Sequence, residues 1–348
     1  MNFFQLSKNK SFIIAEVGVN HNGDENLAIK MTESAIESGA DCVKFQTFKA
    51  DKLVSKDAKK ADYQLANSKE DGDTQYKMLK KLEMSEAWHY ELINYANECG
   101  IKFLSTGFDE QSIDFLESLN IDFFKIPSGE ITNKPFIKHI ARKGKPIILS
   151  TGMANLEEIR DAITVLKDNG ISNNNLTILH CNTEYPTPMS DVNLKAMYFL
   201  KEEFEVNIGY SDHTLGIEVP IAAVAMGAKV IEKHFTLDKK MKGPDHKASL
   251  DPDELKAMVN AIRNVEIAIT GSGKKEVTQS EMKNILIARK SIHLNNFVSA
   301  GNSIQANDLI MKRPGTGISP MKIDLIIGKK AAVDLPEDHM LNFKDLLT

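Results

Sequence analysis

Two histidines, two lysines and a set of small hydroxyl residues have the types and spacing for chemistry on an anionic small molecule. His213 closes the run VNIGYSDH (206–213), and His234 falls near the end of KVIEKHF (229–235). One histidine alone is more often a satisfied core or surface imidazole. Two at equivalent ends of neighbouring strands suit a divalent metal. No cysteine accompanies them, and Glu16 and Asp245 are available oxygen donors. Nitrogen, oxygen and water ligands favour Mn²⁺ over a structural zinc, with Mg²⁺ or Co²⁺ as alternatives. Lys44 lies within VKFQ and Lys125 within FKIPSG, both between apolar neighbours. An ammonium on such a strand must meet an anion or lose its charge. A structural ion pair with a neighbouring glutamate would satisfy it, and so would a bound phosphate or carboxylate. Thr106, Ser128, Ser150 and Thr151 stand at the ends of similar runs. Hydroxyls, glycine-adjacent amides and ammonium groups together favour the bound anion. His21, His180 and His246 are further imidazoles without a pattern of their own. Asp245, in GPDHKASLDP, either orients a substrate hydroxyl or belongs to a turn. Arg313, in KRPGTG, is either solvated or reaches into another site.

The elements that must position these groups are short apolar runs alternating with amphipathic stretches. The runs are 12–20, 41–48, 102–108, 123–129, 146–152, 176–182, 206–213 and 229–235, each about the length of a buried strand and rich in Val, Ile, Leu and Phe. Helical segments are expected at 26–38, 86–99, 110–118, 155–168, 217–226 and 252–269. Asp251, Pro252 and Glu254 make a helix start, and Gly39, Gly100, Gly144 and Gly170 fall where helices should stop. Parallel strands need crossovers, and eight repeats close into a (β/α)8 TIM barrel, an α/β fold whose chemistry sits at the C-terminal strand ends. An open doubly wound sheet is the alternative, but no GxGxxG follows the first run. Alternation places Glu232 and His234 on one strand face and Lys233 on the other.

The domain reading is a barrel over 1–270, a linker over 271–289 and a small, mostly β domain over 290–348, where runs such as KSIHLNNF, LIMKRP and KKAAVDL alternate with turn signals. The charged connection 49–84 reads as a lid, a substrate loop or a mobile segment. The chain has 348 residues, 42% of them hydrophobic and 26% charged, an ordinary globular composition. Three cysteines without a close pair exclude a disulfide framework and a cysteine zinc site. A net charge of -5 without a basic stripe argues against nucleic acid. No apolar run reaches the ~20 residues of a membrane span, and no signal core precedes the first strand, so a cytoplasmic protein is expected.

With these residues in hand, the sequence resembles the sialic-acid synthase family. The resemblance covers nearly the whole chain and is carried by IIAEVGVNHNGD, VKFQTFKADKL, KIPSGEITNKP, ILSTGM, HCNTEYPTP, GYSDHT, EKHFTLD and KRPGTGISP. It implies a TIM barrel joined to a small antifreeze-like (SAF, β-clip) domain. It implies metal-dependent condensation of phosphoenolpyruvate with an N-acetylated hexosamine, giving a nine-carbon 2-keto acid and phosphate by C–O cleavage. N-acetylmannosamine, giving N-acetylneuraminate, is the first expectation. The alternative acceptor is 2,4-diacetamido-2,4,6-trideoxymannose, giving N,N'-diacetyllegionaminate; pseudaminate synthesis and a non-catalytic carbohydrate-binding role stand further back. The resemblance makes His213 and His234 the metal ligands with Glu16 close by, and Lys44, Thr106, Lys125, Ser128 and Ser150 the phosphoenolpyruvate site. Gln46, Glu130, Tyr185 and Asp245 would face the sugar. Thr183 stands where some neuraminate synthases carry a sugar-contacting asparagine. The implied assembly is a domain-swapped homodimer in which Arg313 reaches across to the sugar's N-acyl group.

Overall fold

The structure, a computed structural model, describes residues 10–61, 64, 65 and 74–347. The chain divides into two compact units, 1–270 and 271–348. In the first, eight strands form one parallel sheet: β1 (Phe12–Gly18), β2 (Cys42–Thr47), β3 (Lys102–Gly107), β4 (Phe124–Ile126), β5 (Ile147–Ser150), β6 (Leu176–Cys181), β7 (Asn207–Asp212) and β8 (Val230–His234). Their order is β3-β2-β1-β8-β7-β6-β5-β4, and β3 lies against β4, so the sheet closes into the expected barrel. The strands are buried almost throughout, which is why they read as continuous apolar runs.

Register decides which polar groups meet. Glu16 on β1 pairs with Lys44 on β2 and with His234 on β8. Ser211 on β7 pairs with Glu232 on β8. At Gly209 on β7, an added Cβ would lie 2.4 Å from the carbonyl oxygen of Val230. Only glycine allows β8 to approach β7 so closely here.

The helices outside the barrel start where the sequence signals them. Asn155 and Asp251 cap reciprocally with Glu158 and Glu254, and Pro252 opens the second of these helices. Helix Lys134–Ala141, capped by Asn133 and opened by Pro135, is the one that the stop at Gly144 implies, whereas Ala196–Phe204 carries weaker signals. The latter has no side-chain cap and ends at Glu205 in a left-handed conformation. The connection 49–84 is not simply a loop. It contains helices Ala50–Leu53 and Gln75–Leu82, and Met78 and Leu82 bury against Val19 and Phe48. Its positions 62, 63 and 66–73 lie outside the described residues.

The second unit takes in residues 271–348, the expected linker among them. Residues read as linker form a helix, Gln279–Ala288, started by a capping box between Thr278 and Glu281. Strands β9 (Ser291–Leu294) and β10 (Leu309–Lys312) pair antiparallel. KKAAVDL makes only isolated bridges, such as Ala331 with Leu346. Ile292, Leu294, Ile304, Ile326 and Leu341 are the centre of this unit's own small core.

Candidate active site

Inside the barrel, two ammonium groups and two carboxylates meet among buried side chains. Lys44 Nζ lies 2.7 Å from Glu16 Oε2 and 3.5 Å from Glu232 Oε2, and it donates to Thr106 Oγ1 at 3.1 Å. Lys125 Nζ lies 3.5 Å from Glu232 Oε1, which also accepts from Ser211 Oγ at 3.1 Å. All four ionisable side chains are buried. Burial alone would raise the Glu232 carboxyl, but Lys125 and Lys44 outweigh it and bring it down to about 2. Burial wins at Glu16, where Lys44 opposes it and Glu232 adds to it, and the carboxyl is pushed up to about 7. Lys44, despite burial, is held above its ordinary value by Glu16 and Glu232. Lys125 is lowered by burial, which Glu232 only partly offsets. The ionised Glu232 balances one ammonium, while burial disfavours the charged form of Glu16. The cluster thus keeps part of a positive charge for an anion. The structural ion pair and the anion site are therefore compatible readings of the same lysines.

The imidazoles stand beside this cluster. The His213 and His234 ring centroids are 5.3 Å apart, and the Tyr185 ring lies 4.1 Å from the first and 5.6 Å from the second. Burial holds both neutral at pH 7: His213 falls to about 4 and His234 well below its usual range. His213 Nδ1 meets the carbonyl of Asn182, which fixes the proton on Nδ1 and leaves the Nε2 lone pair free. Nδ1 of His234 is buried without a hydrogen-bond partner. Two neutral rings with lone pairs to spare fit a divalent ion, metal–nitrogen bonds being about 2.1 Å. Among the described residues no group of three or more His, Cys, Asp or Glu gathers around such a point, so water or substrate oxygens would complete the coordination.

Both clusters open on one cavity of about 480 Å³. Glu16, Lys44, Thr106, Lys125, Ser128 and Ser150 line it, as do Gln46, Glu130, Tyr185, His213 and His234. Thr183 lines it too. Ser128 Oγ accepts from the Gly152 amide at 3.0 Å, and Ser150 Oγ is buried without a partner. Thr151 instead donates to the Leu179 carbonyl. Three histidines are engaged elsewhere: His180 with the Val192 carbonyl, His246 with Thr236 and Asn22, and His21 against Trp88. Asp245 follows β8, where burial pushes its carboxyl up to about 7; it is not among the cavity's lining residues. Arg313 belongs to the second unit, where its Nε donates to the Ala288 carbonyl. Glu232, which joins the two lysines, was missed as a site residue; its place on the His234 face of β8 was the signal. A groove of about 660 Å³ between helices Lys134–Ala141 and Leu156–Asp168 has no comparable constellation.

A model of the NeuB family matches residues 31–275, and a model of the SAF domain matches residues 289–347. The chain belongs to the NeuB family. It is 53% identical over 332 residues to N,N'-diacetyllegionaminic acid synthase of Campylobacter jejuni, covering 95% of this chain and 99% of that one. It is 54% identical over 327 residues to the synthase of the same name from Legionella pneumophila, covering 93% and 91%. Among solved structures, N-acetylneuraminic acid (sialic acid) synthetase from Leptospira borgpetersenii is 33% identical, with a TM-score of 0.68, covering 79% of this chain and 90% of that one. The resemblance to sialic-acid synthases thus holds for a NeuB barrel and its SAF domain alike. No helix among the described residues is long and apolar enough to cross a membrane.

Proposed function

We propose that the protein is an N,N'-diacetyllegionaminate synthase, condensing phosphoenolpyruvate with 2,4-diacetamido-2,4,6-trideoxymannose and releasing phosphate. The acceptor first expected from the sequence, N-acetylmannosamine, gives way to the alternative. The observation that carries the change is the identity of 53% and 54%, along nearly the whole chain, to synthases named for legionaminic acid. The sialic-acid synthetase stands at 33%.

The residues on the cavity wall support this reaction. Lys44 and Lys125 hold the phosphate and carboxylate of phosphoenolpyruvate, with hydroxyls from Thr106, Ser128 and Ser150. That binding is shared by ground and transition states, so it sets affinity more than rate. His213 and His234 would hold Mn²⁺, which when bound supplies Lewis-acid stabilisation to the sugar's aldehyde oxygen. Tyr185, packed on both rings, fixes their orientation. Attack by C3 of phosphoenolpyruvate leaves C2 electrophilic, and water adds there. Glu16, poised at about 7, takes the proton from that water. Loss of phosphate then breaks the C–O bond. Gln46 and Glu130 face the acceptor. In the assembly that goes with this reading, a cytoplasmic homodimer, the small domain of one chain covers the partner's barrel mouth and Arg313 meets an N-acyl group.

The test is a panel of both acceptors with phosphoenolpyruvate carrying ¹⁸O in its bridging oxygen, read by product mass. The diacetamido sugar should be converted in preference, and the label should appear in phosphate. Preferred turnover of N-acetylmannosamine would overturn the acceptor. Unlabelled phosphate would overturn C–O cleavage.

A further inference from the structure

The cavity has two kinds of wall. Its floor, carried on strand ends, is ionic and hydroxylic. Part of its mouth is apolar. Leu53 and Val54 follow β2, Leu79 comes from helix Gln75–Leu82, Phe108 follows β3 and Met153 follows β5. Leu53, Leu79 and Phe108 are only partly buried and rest on the cluster of Val19, Phe48, Met78 and Leu82. Phe108 meets Phe48 edge to face, with ring centroids 6.1 Å apart. Met153 lines the cavity yet is 73% exposed, and its φ of 63 is a conformation few non-glycine residues adopt. That side chain is therefore open to contact with a molecule in the cavity.

We propose that Leu53, Val54, Leu79, Phe108 and Met153 form the wall that selects the acceptor, receiving the C4 acetamido methyl and the C6 methyl of a 2,4-diacetamido-2,4,6-trideoxyhexose. This inference rests on the reaction proposed above. Bond formation fixes how the acceptor lies. Its C1 must reach C3 of phosphoenolpyruvate beside the ammonium groups and imidazoles, so C4 to C6 point away from the floor and toward the mouth. N-acetylmannosamine carries hydroxyls at C4 and C6. Set against this wall they would lose water and gain no partner. The diacetamido trideoxy sugar presents methyl groups at both places, each worth roughly four-fold in affinity when buried, while its C4 amide needs polar partners, for which Gln75 beside Leu79 on the same cavity wall is available.

The test uses the full-length enzyme with phosphoenolpyruvate and Mn²⁺, and reads the ratio of kcat/KM for the diacetamido trideoxy sugar over N-acetylmannosamine. Leu79→Asn should lower that ratio about ten-fold, whereas Leu79→Met should keep it. Met153→Ser, at an exposed side chain, should move the ratio the same way and covers the case in which Leu79→Asn fails to fold. An unchanged ratio in Met153→Ser, or equal losses on both acceptors in Leu79→Asn, would overturn the selecting wall. A wild-type enzyme that prefers N-acetylmannosamine would instead overturn the acceptor itself, which separates the two failures.

Discussion

Lys233 Nζ donates to Asp212 Oδ2 at 2.5 Å, and both side chains are wholly buried. Lys233 also donates to the Thr214 carbonyl, and Asp212 accepts from the Thr214 amide and hydroxyl. Each partner precedes one of the paired histidines, His213 or His234, in the chain. The ion pair therefore ties the ends of β7 and β8 together from the face opposite the cavity.

Breaking that tie should be costly. Lys233→Met leaves the Asp212 charge buried without its cation, and the expected loss is about 3–5 kcal/mol of unfolding free energy. Denaturant unfolding monitored by circular dichroism checks it. A loss below about 1 kcal/mol would show that the Thr214 hydrogen bonds suffice.

Gly209→Ala should loosen the same pair of strands by another route. The new methyl group would meet the Val230 carbonyl, which is backbone and cannot turn aside. Overpacking of this kind costs about 1–3 kcal/mol. A thermal unfolding midpoint equal to that of the wild type would mean that β8 shifts without cost.

Binding of phosphoenolpyruvate should weaken as pH rises through about 7. Glu16 has its carboxyl raised to about 7, so it is neutral below that value and anionic above it. The anion cancels charge that Lys44 offers the substrate. The same shift bears on folding. A carboxyl raised from 4.5 stabilises the folded state most below its unfolded value, and that contribution is lost as pH rises to about 7. Calorimetric Kd values for wild type and Glu16→Gln between pH 6 and 8 separate this effect from the ligand's own ionisation. The two curves should diverge above 7, and parallel curves would exclude Glu16 as the source.

His234→Ala should abolish Mn²⁺-dependent turnover and weaken Mn²⁺ binding by ten-fold or more, as read by the paramagnetic resonance signal of the free ion. Full turnover in metal-depleted buffer, or Mn²⁺ binding unchanged in the variant, would remove the imidazole pair from the site.

The barrel was legible because its strands are buried on both faces and so stand out as apolar runs between amphipathic segments. The histidines and the hydroxyls of Thr106, Ser128 and Ser150 stand out because they lie near the ends of those runs, which a closed barrel turns toward one opening, and the lysines because each is a charge set among apolar neighbours within a run. Glu232 was not recognised because its partners, Lys44 and Lys125, lie on β2 and β4 rather than on neighbouring strands. Contact across the interior depends on closure, which strand periodicity does not describe. The two readings of Asp245 stay open in the sequence because a carboxylate between a strand end and a helix start carries no direction of its own. Helix Ala196–Phe204 escaped because it lacks a capping side chain.

Reactivity and selectivity here reside in different classes of backbone. Groups on the floor are fixed by the ladder of a sheet that has no free edge, so substitution there disturbs the whole ring. Residues at the mouth hang from connecting segments that can vary without breaking the ladder. A descendant of this protein can thus acquire a taste for another sugar by drift in a few apolar side chains, while the bond-making apparatus is inherited untouched.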